Sequence, residues 1–402
     1  MLAGEQLDFR PGPVVAERLR ALGRTEDVMF SPDQTRLAIA GFRENRVLIL
    51  GIRIVAEAGV LAIESDACVE IRCPEFKGPH GLAWIDGDTL VVANRGRDVL
   101  VVPVPAMGSA GPSVAVEPLL RLAGPGDGII KAPGSVAVVR LDDRHFDFLV
   151  CNNYRNYVSR HIVRRQNGFD VLSASRLFEQ GLKVPDSISV STDGGLVAVS
   201  NHYGKRIDVF RNDAGSAPSL PPAFSLGLPG YPHGVRFALQ DRLVLVADAG
   251  APCIHVYARG EGGWASARGP SVSVRVMDDE AFRRGQNNPE EGGPKGLDIL
   301  NDGSLVAVSC EEVPIAFFDF RAVRDQLVDS GLTRGPDPAP GEARLLETTL
   351  AALKGQQGQI AALQAEVARL TAERERSLDR RFLRLLRRLV QKAKGSEGKG
   401  GY

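Results

Sequence analysis

The chain has 402 residues, of which 44% are hydrophobic and 24% charged, the proportions of an ordinary folded, soluble protein. Lysine plus arginine and aspartate plus glutamate both total 49, which argues against a general nucleic-acid-binding protein. The N-terminal residues lack the pattern of a signal peptide, and no apolar run is long enough to span a membrane. The five scattered cysteines, without a C-x-x-C pair, favour reduced thiols in a cytoplasmic protein over disulfides or a zinc site.

One sequence unit recurs six times between residues 12 and 320. It consists of a turn with proline, a short apolar strand, a polar turn, and a very apolar strand ending in a small or polar residue, as in Pro79-His-Gly-Leu-Ala-Trp followed by Thr89-Leu-Val-Val-Ala-Asn94. The six copies are anchored at Thr25, Pro79, Pro133, Pro185, Pro232 and Pro294. A third strand follows in each copy and a fourth in several, and four-stranded units repeated radially are typical of propellers. We therefore predict an all-β, six-bladed β-propeller over residues 12–320.

The last copy lacks a fourth strand, because the residues after Phe320 are typical of a helix. The segment from Pro13 to Leu22 resembles the segment that precedes the third copy. We predict that this N-terminal segment is a strand that completes the sixth blade, closes the ring and removes its exposed edges.

Two rings of polar residues follow from aligning the copies. The residues after the anchors are Glu26, His80, Gly134, Asp186, His233 and Lys295. The residues that end the second strands are Gly41, Asn94, Asn152, Asn201, Asp248 and Cys310. Polar groups gathered in a partly buried channel must pair with each other, with water or with a ligand. The alternative for the amides is a hydrogen bond to the next turn or blade.

The Pro-x-Gly and Leu-Val-Ala-Val-Ser-Asn phrases resemble those of six-bladed propellers, a group that includes the gluconolactonase/senescence-marker-like proteins and the NHL- and YVTN-type repeats. That resemblance implies calcium or another divalent cation on the channel axis, held by Glu26 and Asp186. Ser187 departs from the family's Pro-Asp-Gly phrase, and Lys295 would be unfavourable beside a metal unless an anionic substrate lay between them. His80 and His233 suit zinc or a general base instead, and they are the candidate catalytic residues.

Two similar segments follow the second strands of the third and fourth copies, Asn152–Tyr157 and Asn201–Arg206. Tyrosine rings stack on sugars while amides bond hydroxyl groups, so these segments favour a sugar or another small polar ligand. A tight hairpin that needs polar residues is the alternative. The predicted ligand-binding residues of the channel are His80, Asn94, Asn152, Asn153, Tyr154, Asn201, His202, His233, Asp248 and Lys295.

Beyond the repeats, residues 321–342 are typical of a linker with a short helix, and residues 395–402 of a disordered tail. Residues 343–394 are typical of helix, and Leu346, Leu353, Ile360 and Val367 recur at intervals of seven. This short heptad seam predicts a coiled coil that makes a homo-oligomer through residues 343–377. Packing of the helix back onto the propeller is the alternative.

The end of that helix is strongly basic. Residues 380–394 contain seven arginine or lysine residues and no acid, arranged around an apolar stripe. Such an amphipathic helix favours an anionic membrane surface, and an acidic protein partner or a solvated face is the alternative. The residues predicted to make this contact are Arg381, Phe382, Arg384, Leu385, Arg388 and Leu389.

These patterns together favour a non-enzymatic propeller for binding or scaffolding. It would be oligomeric, cytoplasmic and drawn to the inner face of a membrane, with envelope polysaccharide assembly as one setting. The alternative is a metal-dependent lactonase or related hydrolase, in which the cation polarises a carbonyl or activates water. His80 or His233 would then move the proton.

Overall fold

The computed structural model describes residues 1–57, 59–108, 111–122, 128–212, 218–228, 230–260, 263–264, 267 and 269–329. All of them belong to one compact unit, Met1–Gly335, whereas a second unit, Pro336–Tyr402, lies outside the described residues. The predicted coiled coil, basic helix and tail (343–402), with the membrane-contact residues Arg381 to Leu389, therefore also lie outside them.

Within the described ranges, 29 strands form seven sheets. The N-terminal strands are β1 (Leu2–Ala3), β2 (Glu5–Gln6) and β3 (Asp8–Pro11). The first repeat region contains β4 (Thr25–Phe30), β5 (Arg36–Gly41), β6 (Arg46–Gly51), β7 (Arg53–Glu57), β8 (Val60–Ser65) and β9 (Cys68–Arg72). The second contains β10 (Pro79–Asp86), β11 (Thr89–Asn94), β12 (Val99–Pro103), β13 (Ser113–Ala115) and β14 (Leu120–Leu122).

The remaining strands continue this order. The third and fourth regions contain β15 (Pro133–Arg140), β16 (His145–Asn152), β17 (Tyr157–Arg165), β18 (Phe169–Phe178), β19 (Pro185–Val190), β20 (Leu196–Asn201), β21 (Arg206–Arg211) and β22 (Phe224–Gly227). The last two contain β23 (Pro232–Ala238), β24 (Leu243–Asp248), β25 (Cys253–Ala258), β26 (Val272–Arg275), β27 (Pro294–Ile299), β28 (Leu305–Cys310) and β29 (Ala316–Asp319). The helices are α1 (Pro13–Arg20), α2 (Asp279–Gly285), α3 (Arg321–Asp329) and a 3₁₀ turn at Asn153–Arg155.

The first strands of six sheets form a closed ring. They are β4, β10, β15, β19, β23 and β27, and they begin at the six anchors of the sequence repeat. Each contacts the first strand of the next sheet, and β27 contacts β4. In all six sheets the second strand runs antiparallel to the first. Sheets repeated around an axis in this way make a β-propeller, so the predicted all-β propeller fold is confirmed.

The predicted number of six blades is corrected, because the structure has seven sheets. The additional sheet has three strands, in which β3 pairs in parallel with β8, and β8 pairs antiparallel with β7. It combines the N-terminal residues 8–11 with residues 53–65 of the first repeat region. A comparison of contiguous copies cannot detect a sheet whose strands come from two separate segments.

The predicted closing strand Pro13–Leu22 is wrong, since these residues begin with α1. Proline is accommodated in the first turn of a helix, and Val15 and Leu19, four residues apart, are both buried on one helix face. The edges are covered by residues further upstream. β2 pairs antiparallel with β29 as the fourth strand of the last sheet, and β1 pairs in parallel with β26.

The core lies between neighbouring sheets. Successive side chains of a strand point to opposite faces, and in the second strands both faces are buried. In β5, Leu37 and Ile39 pack with the last sheet, whereas Ala38 and Ala40 pack with the second sheet. This two-sided burial explains why the second strands are continuous apolar runs rather than alternating ones.

Candidate functional site

Five charged or imidazole side chains meet inside the ring of first strands. They follow the anchors in the sequence and form the channel cluster, which consists of Glu26, His80, Asp186, His233 and Lys295. All five are between 1% and 4% exposed. Glu26 Oε2 lies 3.4 Å from His233 Nε2 and 3.5 Å from His80 Nε2. The first ring predicted from the sequence thus forms one connected group of side chains.

Glycine follows three members of this cluster because neighbouring first strands approach closely there. A Cβ atom on Gly234 would lie 2.6 Å from the Lys295 carbonyl oxygen, and one on Gly296 would lie 2.6 Å from Asp27 Cα. A Cβ atom on Gly81 would collide with Ser135 Cα. None of these glycines has a left-handed φ, so their role is space for the adjacent strand. The Pro-x-Gly phrase is therefore a packing signal.

The sixth ring position, Gly134, has no side chain because Asn153 occupies its place. A Cβ atom on Gly134 would overlap Asn153 Oδ1. The buried Asn153 amide donates a hydrogen bond from Nδ2 to Asp186 Oδ1. Asn153 thereby contacts the channel cluster from the third repeat, while its predicted role in ligand binding stays a prediction.

The structure does not bring the second predicted ring into the channel. Each of its four polar side chains accepts a hydrogen bond from a backbone N–H just before the first strand of its own sheet. The pairs are Asn94 with Lys77, Asn152 with Lys131, Asn201 with Lys183, and Asp248 with Tyr231. These side chains brace the turns and do not line the cavity, an arrangement that agrees with the alternative for the amides.

In five of the six repeats, the residue after the second strand contributes to the site instead. Phe42, Arg95, Asn153 and His202 occupy this position in the first four repeats, and all of them line a cavity at the end of the channel. In the last repeat this residue is Glu311, which lies 3.0 Å from Arg24 Nε. Adjacent side chains of a strand alternate in direction, so a shift of one residue separates the bracing position from the cavity position.

The cavity has a volume of about 310 Å³ and a mostly polar wall. It is lined by Arg24, Phe42, His80, Arg95, Asn153, Tyr154, Val184, Asp186, His202, Tyr203, Asn288, Glu290 and Glu291. Tyr154 and Tyr203 are 69% and 50% exposed at the rim. A much smaller cavity of about 10 Å³, near the size of one water, lies among Glu26, His80, Asp186 and His233.

Sequence reasoning missed five charged residues of this site. They are Arg24, Arg95, Glu290, Glu291 and Glu311, none of which occupies either predicted ring. The position directly after the second strand would have indicated Arg95 and Glu311. No repeat signal marks Glu291, which lies in the loop between α2 and β27.

The two buried carboxylates of the channel cluster are each paired with cations. Glu26 Oε1 accepts a short hydrogen bond from Arg24 and lies 3.5 Å from Lys295 Nζ. Asp186 lies 3.1 Å from Arg95 and 2.9 Å from His233. Burial alone would raise the pKa values of both carboxyls, but Lys295 holds the pKa of Glu26, and His233 that of Asp186, well below the usual range.

The two histidines of the cluster have opposite charge states. Burial and the nearby Arg95 lower the pKa of His80 to about 3, so it is neutral. Burial also opposes the charging of His233, but Asp186 and Glu26 raise its pKa to about 9, which makes it an imidazolium near neutral pH. Arg95 Nη2 lies 2.6 Å from His80 Nε2 and can only donate, so we assign the His80 proton to Nδ1, which donates to the Gly134 carbonyl at 2.7 Å.

These residues do not fit a resident divalent cation. Donor atoms of Glu26, His80 and His233 lie within 4.8 Å of one another, which is compact enough for a metal. However, Arg95 already occupies His80 Nε2, and His233 Nε2 lies 2.9 Å from Asp186 Oδ2. Glu26 is also paired with two basic side chains. A divalent ion would have to displace the protein's own cations from these donor atoms.

Comparison with known proteins found a matching family model and similar solved structures. The model of the family described as the lipoprotein LpqB β-propeller domain matches residues 4–139. The chain is similar to that domain over about a third of its length. The β-propeller domain of Cps50 (Swd1) from Myceliophteria thermophila shares 11% identity at a TM-score of 0.44, with 74% of this chain and 96% of that chain covered. The WD40 β-propeller domain of Doa1 shares 10% identity at a TM-score of 0.44, with 74% and 93% covered.

No curated protein sequence matches the chain. The matching family model describes a β-propeller domain, and it is not a model of the gluconolactonase-like group that the sequence pattern resembles. The resemblance is thus supported for a β-propeller and not for that particular family. Among the described residues, no helix combines the length and apolar character needed to cross a lipid bilayer.

Proposed function

We propose that this protein is a non-enzymatic binding propeller that holds a small polar ligand in the cavity at the end of its channel. The observation that carries this proposal is the cavity wall, in which arginine, asparagine and carboxylate groups lie below two exposed tyrosine rings. Its volume of about 310 Å³ is at the lower end for small-molecule pockets, which favours a ligand of monosaccharide size.

The state of the two histidines supports binding rather than catalysis. A general base needs a free, neutral ring nitrogen within reach of a substrate. Both nitrogens of His80 are engaged, with Gly134 and Arg95. His233 already carries its second proton and faces Asp186. Neither histidine offers an open lone pair to the cavity.

Titration calorimetry of the full chain with D-glucose, N-acetyl-D-glucosamine and D-glucuronate tests this proposal. We expect at least one of these sugars to bind, and the double variant Tyr154→Ala/Tyr203→Ala to lose about tenfold or more in affinity, because stacking on the rings is removed. Leu141→Ala, at a similarly exposed apolar residue that does not line the cavity, should bind like the wild type. Failure of all three sugars to bind, or equal binding by the double variant, would contradict the proposal.

The alternative function, a metal-dependent hydrolase, is favoured by one observation, the compact set of Glu26, His80 and His233 donor atoms. The same calorimetry with calcium chloride and zinc chloride separates the two functions. Micromolar binding of either ion, abolished by Glu26→Gln, would replace the binding proposal with the hydrolase.

We also propose that residues 343–377 oligomerise the chain and that residues 380–394 draw it to the cytoplasmic face of a membrane or to an acidic protein, with envelope polysaccharide assembly as the setting. Support for this comes from the heptad seam and the seven basic residues. The family model that matches residues 4–139 is that of a lipoprotein, which agrees with a membrane setting but does not indicate the face.

A chain that ends at Gly335 tests the role of these segments. We expect it to be monomeric by light scattering while the full chain is oligomeric. The triple variant Arg381→Gln/Arg384→Gln/Arg388→Gln should remain oligomeric but bind phosphatidylglycerol vesicles about 100-fold more weakly, at about 1 kcal/mol for each basic residue. Unchanged oligomeric state and vesicle binding in the shortened chain would contradict both roles.

A further inference from the structure

Glu291 differs from the other buried acids of the site in the way the fold holds it. Glu26 and Asp186 lie on first strands, and Glu311 directly follows β28. Glu291 belongs to residues 286–291, which we call the carboxylate loop, between α2 and β27. Its side chain is 20% exposed, whereas those of Glu26 and Glu311 are 6% exposed or less. Glu291 is therefore the acid most easily withdrawn from the site.

The carboxylate of Glu291 reaches across the cavity wall to two buried nitrogens. Oε2 lies 3.0 Å from Lys295 Nζ, and Oε1 lies 3.4 Å from His202 Nε2. Both partners are 4% exposed or less. Lys295 lowers the pKa of Glu291 against the effect of burial, so the group is a carboxylate at neutral pH. The protein thus places its own anion in a subsite made by Lys295 and His202.

The carboxylate loop is attached to the cavity through side chains only, among the contacts of the described residues. Its backbone bonds are local, with Asn288 Oδ1 accepting from the N–H groups of Glu290 and Glu291. The Tyr203 hydroxyl donates to Glu290 Oε2. This contact and those of Glu291 hold the loop against the cavity wall. Gly292 and Gly293, by contrast, both donate to the Ala249 carbonyl at 2.8 Å and anchor the end of the loop. Residues 286–289 are exposed, so the loop can swing out about this anchor.

Glu291 supplies the carboxylate nearest to Lys295. Lys295 Nζ lies 3.0 Å from Glu291 Oε2, but 3.5 Å from Glu26 Oε1 and 4.0 Å from Glu311 Oε2. Those two acids are also bound by Arg24, so withdrawal of Glu291 leaves the buried Lys295 ammonium with shared partners only and takes the carboxylate away from His202. A poorly paired buried charge is costly, so a ligand carboxylate would take the vacated place.

We propose that the ligand carries a carboxylate, which displaces Glu291 from Lys295 and His202 and opens the carboxylate loop. This inference rests on the proposed binding function and narrows its ligand to a small acidic molecule, such as a sugar acid. Glu291 is then an internal competitor that excludes neutral ligands from the subsite, because they cannot replace its charge.

Chemical rescue by acetate tests the subsite without any knowledge of the natural ligand. In full-length Glu291→Ala, 100 mM sodium acetate should occupy the vacated position and raise Tm by about 2 °C or more over sodium chloride of equal ionic strength. The wild type and Glu290→Ala, in which Glu291 remains, should show no such difference. Equal shifts in all three proteins, or no shift in Glu291→Ala, would overturn the subsite even if sugars bind elsewhere in the cavity.

Calorimetry with Glu291→Gln, which removes the charge but keeps the shape, tests the class of ligand. We expect D-glucuronate to bind this variant at least tenfold more tightly than it binds the wild type, with the affinity for D-glucose unchanged. Adding Lys295→Met should remove the gain. An equal gain for D-glucose would overturn the charge argument, while absence of sugar binding in every protein together with a positive acetate rescue would reject the sugar proposal and retain the anion subsite.

Discussion

Replacement of Arg236 by methionine is expected to lower the free energy of unfolding by about 3–5 kcal/mol, the usual cost of removing one partner from a buried ion pair. Arg236, on β23, is 5% exposed and lies 2.9 Å from Asp27 on β4 and 3.4 Å from Asp298 on β27. The Asp27 carboxylate also accepts hydrogen bonds from the N–H groups of Val28 and Leu82. Without Arg236, two carboxylates remain buried without their cation, in strands that bear the channel cluster.

The loss of unfolding free energy in Arg236→Met should depend on pH, in a direction set by the carboxyl groups of Asp27 and Asp298. Burial raises the pKa of Asp298 to about 6 and also raises that of Asp27, and Arg236 opposes both shifts. A carboxyl with a raised pKa binds more protons in the folded protein, so its stabilising contribution is present at low pH and is lost as pH rises through the folded value. The deficit of Arg236→Met should therefore be smaller at pH 5 than at pH 8.

Urea unfolding at both pH values measures this effect. Arg140→Met is the control, because the Arg140–Asp143 pair is exposed and should contribute less than about 1 kcal/mol. The triple variant Asp27→Asn/Arg236→Met/Asp298→Asn should recover much of the loss, because no buried charge is left without a partner. A deficit below about 1 kcal/mol in Arg236→Met, or one independent of pH, would show that water reaches these carboxylates.

Replacement of Gly81 by alanine is expected to destabilise the propeller by about 1–3 kcal/mol, the range found for overpacked cores. The added methyl group would overlap Ser135 Cα and lie 2.8 Å from the Gly134 carbonyl oxygen, both in the neighbouring first strand β15. Backbone atoms cannot rotate away as a side chain can, so β10 and β15 would have to separate. The same carbonyl accepts the His80 proton, so the cavity wall would move as well.

Gly269→Ala is the matched control for this prediction. A Cβ atom there meets nothing within 4 Å, and the residue has no left-handed φ. We expect its stability to be unchanged or slightly increased, because alanine restricts the unfolded chain. Thermal and urea unfolding of the two variants distinguish the outcomes. Equal stability of Gly81→Ala and Gly269→Ala would mean that β10 and β15 are not packed as closely as the structure shows.

The position of a residue in the repeat predicted which residues of the first ring lie together in space. Copies related by rotation about one axis place equivalent residues at the same depth, so Glu26, His80, Asp186, His233 and Lys295 meet although they are distant along the chain. The second ring lies one residue before the positions that line the cavity. Asn94 braces a turn while Arg95 enters the cavity, because neighbouring side chains point in opposite directions. An apolar strand that is buried on both faces does not reveal in its sequence which of the two side chains faces the channel.

The sequence by itself determined the β-propeller, the starts of the six first strands and the Pro-x-Gly phrase, because these features depend on local periodicity and turn chemistry. Only the tertiary structure revealed the three-stranded additional sheet and the true closing strand β2, since both pair segments that are remote in sequence. It also decided the charge states of His80 and His233, which occupy the same position in two different copies of the repeat. Their pKa values diverge because Arg95 faces one and Asp186 the other, and such partners come from different sheets.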